Sequence, residues 1–144
     1  MSAPPEIVHV VRQWVEKAEG DLRGARHMLK LENNCPFHIV CFLAQQCAEK
    51  YLKALLTLQS IPFPKTHELW RLFLMLKTGA NLKLEKADLI IVTRYAADSR
   101  YPGEFDPLSR DDAEEAVAIA QDVRKAVRAK LPQAALRFGK RKTS

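Results

Sequence analysis

A chain of 144 residues, 47% apolar and 28% charged, has the size and make-up of one domain that builds a core without disulfides or structural metal. Five glycines and the absence of short alternating runs argue against an all-β sandwich. The longest fully apolar run, Ile39–Ala44, falls far short of the ~18 residues that suggest a membrane span. The net charge of +6 is uneven: after Gln133 come Arg137, Lys140, Arg141 and Lys142 with no acid among them. Residues 1–132 therefore read as one helical domain, and residues 133–144 as a basic, flexible tail able to meet RNA or an acidic partner.

The opening MSAPPEIVHVVRQW shows neither a positive leader nor a long apolar stretch. Three cysteines make no disulfide framework. Cys41 and Cys47, if helical, lie ~9 Å apart along the axis, too far to bridge. Reduced thiols in a cytoplasmic protein are the natural reading.

In chain order, Ile7, Val11, Trp14, Ala18, Leu22, Ala25 and Leu29 step by threes and fours, which predicts a first helix over Glu6–Leu31. Pro5 suits its start. A second helix, Pro36–Gln59 with Asn34 as its cap, carries a wide apolar face from Phe37 to Leu58 and belongs at the centre of the core. Its polar residues His38, Gln45, Gln46, Glu49, Lys50 and Lys53 share an arc of ~140°. Such a strip on a central helix must meet water, a partner or a ligand.

Pro62 and Pro64 break the helix. Thr66 looks like the cap of a shorter helix over His67–Lys77. A fourth runs over Glu85–Asp98 and places Ala87, Ile91 and Tyr95 on one side, with Leu89, Val92 and Ala96 on an adjacent side. Pro102, Gly103 and Pro107 then mark a loop. Ser109 with Asp112 approximates a capping box for a last helix, Arg110–Lys130, lined by small residues. The sum is an all-α, up-down four-helix bundle with an additional short helix.

Several side chains suit anion or nucleotide binding. Lys50 and Lys53 are cations on the polar strip, although Glu49 and Lys53 also form a favourable i,i+4 pair. His67 suits a base, a phosphate or proton transfer, or equally a structural link from loop to bundle. Arg94 and Arg100 can grip phosphate oxygens while Tyr95 and Tyr101 stack on bases; a plain Arg94–Asp98 pair is the alternative. No metal site and no glycine-rich phosphate loop stand out, and no cofactor is expected.

The ordered set Gln46-x-x-Glu49-Lys50-x-Leu52-Lys53-Ala54-Leu55-Leu56, Pro64-Lys65-Thr66-His67-Glu68-Leu69, Arg94-Tyr95 and Arg100-Tyr101-Pro102, ahead of an alanine-rich helix, resembles the HEPN domain family from about Trp14 to Leu131. The resemblance implies a four- or five-helix bundle, commonly a homodimer, paired with a minimal nucleotidyltransferase in toxin–antitoxin-like modules. Some members are metal-independent RNases that use an Arg, four to six residues, then a His. The four histidines here, His9, His27, His38 and His67, have no Arg at that spacing. The expected function is a non-catalytic, nucleotide- or RNA-binding partner of a nucleotidyltransferase. The alternatives are an RNase that draws on another proton donor such as His67, and an RNA-binding bundle that relies on its tail.

Overall fold

The structure is a computed structural model and describes residues 3–77, 81–98 and 107–138. Six helices account for the order: α1 (Pro5–Leu29), α2 (Phe37–Leu58), α3 (Leu69–Met75), α4 (Lys86–Asp98), α5 (Arg110–Arg128) and α6 (Gln133–Leu136). No strand occurs among the described residues, and no described helix is long and apolar enough to cross a membrane.

The core is organised around α2, which packs against α1, α3, α4 and α5. Val40, Cys41, Ala44, Cys47, Ala48, Tyr51, Leu52, Ala54, Leu55 and Leu56 are all buried, so apolar side chains cover most of its circumference. From α1 come Val11, Val15, Ala18, Leu22 and Ala25, the face that the three-and-four spacing marks out. The contributions of α4 are Leu89, Val92 and Ala96. The small residues Ala113, Ala116 and Ala120 of α5 are fully buried, and they let that helix approach closely.

Helix ends follow local chemistry. Ser109 accepts from the Asp112 N–H at 3.1 Å while Asp112 accepts from the Ser109 N–H at 2.9 Å, the reciprocal cap that the sequence predicts. Ser60 adopts φ 58° and lets the Ile61 N–H reach back to the Leu56 carbonyl at 3.0 Å, closing α2. Asn34 also has φ 58°; it turns the chain between α1 and α2, and the N-cap position of α2 is occupied by Pro36. Arg110 donates to the carbonyls of Leu29 and Leu31 at 2.9 and 2.7 Å and lies 5.1 Å from the Phe37 ring centroid. One guanidinium thus satisfies orphan carbonyls past α1 and joins the ends of three helices.

Two stretches differ from the sequence reading. The third helix begins at Leu69, two residues later than its spacing predicts, because Thr66 Oγ1 takes the Glu68 N–H at 3.2 Å and holds His67 outside the helix. Gln133–Leu136, the start of the expected tail, forms α6 with Ala135 buried against α1. Arg12 fixes it with two donors to the Ala134 carbonyl, at 3.0 and 2.8 Å.

A second polar cluster ties α1, α2 and α5 together. Arg124 grips both oxygens of Glu19 at 2.8 Å, Tyr51 donates to Glu19 at 2.7 Å, and Arg128 donates to the Tyr51 oxygen at 3.2 Å. Burial pushes the Glu19 carboxyl upward, but the Arg124 and Tyr51 hydrogen bonds outweigh it and hold the group below the usual carboxylate range. A depressed folded-state value makes this contribution complete above the unfolded value of about 4.5, and it fades as pH falls through the folded value. Glu19→Gln is expected to lower thermal stability at pH 7 and to flatten the stability–pH curve below about pH 4.5, as thermal melts across an acid series would show. Ser109→Ala is expected to cost about 1 kcal/mol in chemical denaturation through loss of the cap.

Candidate functional site

His38, at the start of the α2 polar strip, is exposed, but the middle of the strip does not face bulk water. Gln45, Glu49 and Lys53, each one helical turn from the next, are 0%, 4% and 9% exposed. A carboxylate carried this far from solvent needs partners on both oxygens. Glu49 has them: Lys53 donates to Oε2 at 2.8 Å, Gln45 to Oε1 at 3.0 Å, and His67 Nδ1 lies 2.8 Å from Oε1. Burial alone pushes this carboxyl upward, and the bonds from Lys53, Gln45 and His67 outweigh it, so Glu49 is an ionised acceptor.

The Pro62–Pro64 loop brings His67 to that acceptor. Gln45 Nε2 also donates to the His67 carbonyl at 2.8 Å, so backbone and ring are both fixed to α2. Across the same loop, the Leu69 N–H donates to Thr93 Oγ1 of α4 at 3.2 Å. A carboxylate only accepts, which places the imidazole hydrogen on Nδ1 and leaves Nε2 free. The His67 side chain is 59% exposed while that of Glu49 is 5% exposed, so a buried charge presents an oriented imidazole to solvent.

Lys53 lies beneath two rings. Its Nζ is 5.8 Å from the Trp14 centroid and 5.7 Å from that of Phe63, and the rings meet edge to face at 6.3 Å. These aromatics shield the Lys53–Glu49 pair on one side. Gln46 completes the row by donating to Gln45 Oε1 at 2.7 Å.

The other residues singled out from the sequence lie apart from this centre. Lys50 turns toward α1, where it pairs with Asp21. Exposed Arg94 lines a cavity of about 460 Å³ between α3 and α4 with Glu68, Trp70 and Arg71. Glu68, the chain neighbour of His67, lines this cavity, and His67 itself does not. Tyr95 faces α5, donating to Glu115 at 2.8 Å and Asp112 at 3.2 Å. Burial and then the Glu115 carboxylate raise its phenol far above the ordinary range, so it stays protonated there. Arg100 and Tyr101 lie outside the described residues.

Of the candidate ligand residues, His67 and Lys53 are brought together, Arg94 sits around the corner, and Lys50 and Tyr95 are held elsewhere. Gln45 and Glu49 organise the site, although spacing presents them only as members of a polar strip. The i−4, i, i+4 ladder through Glu49 was the available signal; its burial depends on the loop that folds over it. Among the described residues, no group of three His, Cys, Asp or Glu side chains could hold a metal ion.

Comparison with known proteins agrees with this architecture. The HEPN domain profile matches residues 11–130. The crystal structure of TT1696 from Thermus thermophilus is 28% identical and superposes with a TM-score of 0.72, covering 84% of this chain and 98% of that one. The crystal structure of ST0689, described as an archaeal HEPN homologue, is 30% identical with a TM-score of 0.62, covering 85% and 98%. No match was found among curated proteins. A profile that spans α1 through α5, with two such structures alike over the same length, shows that the chain belongs to the HEPN domain family.

Proposed function

We propose that this chain is a non-catalytic, cytoplasmic HEPN module that dimerises, binds a nucleotide or RNA at His67, and serves a minimal nucleotidyltransferase in a toxin–antitoxin-like pair. The observation that carries the binding reading is the buried Glu49 carboxylate aiming an exposed imidazole outward. In its protonated form the ring offers Nε2–H to a phosphate oxygen; in its neutral form it accepts from a base amine. Arg94, in the adjoining cavity beside Glu68, supplies a guanidinium for a second phosphate oxygen. The partner and the dimer follow from the family resemblance, and an adjacent small nucleotidyltransferase gene would strengthen that part.

Titration calorimetry with nucleoside triphosphates tests the site. His67→Ala is expected to weaken binding about 10- to 100-fold, the worth of one charge-assisted hydrogen bond, with smaller losses in Arg94→Ala and Arg100→Ala. Unchanged affinity in all three variants would remove these residues from the ligand site.

A second reading, an RNase of the same fold, is favoured by one specific feature. A carboxylate, an imidazole bonded through Nδ1 and a solvent-facing Nε2 form an orienter and a general base. That reading predicts RNA cleavage in the presence of a metal chelator. The activity should vanish in His67→Ala and fall about a hundredfold in Glu49→Gln, whose fold is checked by circular dichroism. A blank against a panel of tRNA and mRNA would leave the binding module alone.

A further inference from the structure

One face of the molecule, away from the His67 centre, holds cations that neither the core nor the proposed site uses. Two cavities of about 310 and 520 Å³ lie between α1 and α5, and both are lined by Leu22, Arg26 and Arg124, so they form one groove. Arg23, His27 and Lys30 line the first; Lys125 and Arg128 line the second. Among the described residues the only acid lining either is Glu19, and Arg124 already grips it through both oxygens. Asp122, within the same turn of α5, lines neither cavity.

Arg23, Arg26, Lys30 and Lys125 are exposed, and none of their side chains has a hydrogen bond or ion pair among the described residues. Arg23 and Arg26 on α1 and Lys30 at its C-cap follow one another along one helical face and span about 10 Å of axial rise. A row of unneutralised guanidinium and ammonium groups along a trough matches a chain of regularly spaced monoanions. A membrane surface fits less well, since charged helices that bind bilayers also carry apolar side chains to insert. The exposed large apolar residues Val10, Leu31, Ile39, Leu74, Ile90 and Phe138 line neither cavity.

We infer that the α1–α5 groove binds the phosphodiester backbone of a single nucleic-acid strand without regard to sequence. The Glu19–Tyr51–Arg124 cluster is the floor that fixes the groove, while Arg23, Arg26, Lys30 and Lys125 are its phosphate contacts. With no large aromatic side chain among the described residues that line the groove, base stacking contributes little, and electrostatics supply most of the affinity. The inference stands independently of the nucleotide site at His67.

Fluorescence anisotropy of the full chain with labelled single-stranded RNA and DNA, over a salt series, tests it. In Arg26→Glu/Lys30→Glu, binding should weaken about tenfold or more at low salt, and the slope of log affinity against log salt should shrink by about 1.4, at about 0.7 per phosphate lost. Both substitutions are at exposed positions, and circular dichroism checks the fold. Lys83→Glu/Lys86→Glu changes the net charge equally but touches neither cavity, and it should bind nearly as the wild type does. Binding to either strand supports the groove, and the ratio between the two names its source. Equal losses in both double variants, no binding to either strand, or a preference for anionic vesicles over both strands would overturn it. Nucleoside triphosphate affinity should not change in Arg26→Glu/Lys30→Glu, which separates this groove from the His67 site.

Discussion

The structure turns on the burial of one carboxylate, Glu49, in the middle of its most apolar helix. An unpaired charge there would cost several kcal/mol, and removing one partner of such a pair typically costs about 3–5 kcal/mol. The helix itself supplies two partners, a hydrogen bond from Gln45 one turn before and a neutralising cation, Lys53, one turn after. The remaining lone pair on Oε1 is met only when the loop after α2 folds back and delivers His67. The two prolines of that loop keep it extended enough to reach. Satisfying a buried charge and orienting an exposed imidazole are therefore the same event.

Two residues beyond Glu49, about 200° around the helix, Tyr51 meets the second carboxylate cluster, built on the half-buried Glu19. There the charge comes from α1 and its neutraliser from α5, so Glu19 and Arg124 staple two helices across the one between them. The two networks stand on opposite sides of α2 and use their carboxylates differently. Glu49 orders a ring that reaches solvent, whereas Glu19 holds Arg124 and, at 3.6 Å, Arg128, and leaves Arg23, Arg26, Lys30 and Lys125 unneutralised. Hydrogen-bonded networks of this kind also specify helix register, because a shifted helix strands the charge.

Membership of the HEPN family accounts for the bundle but not for the chemistry of its surface. The arginine-to-histidine spacing of the family's RNases is missing, yet the fold places a histidine against a carboxylate by another route. That histidine comes from a loop that α2 and α4 both hold, through Gln45 and Thr93, so its position depends on packing among three helices.

The sequence by itself determined the helices, their order and the centrality of α2, because a 3.6-residue apolar period and side-chain caps such as Ser109–Asp112 are local properties. It also determined that the strip through Glu49 had to be accounted for. Which way each member of the strip turned was decided by tertiary structure alone. Lys50 and Lys53 sit only three residues apart, yet one finds Asp21 on α1 and the other is buried beneath Trp14 and Phe63. Tyr95, which suits base stacking on residue type, instead spends its hydroxyl on Glu115 and Asp112 of α5. The cationic face at the end of α1 was present as the spacing Arg23, Arg26, Lys30, but a helix period cannot say whether such a face is paired or open. The reason is physical: backbone periodicity is set within a few residues, whereas the environment of a charge is set by whatever the rest of the chain packs against it.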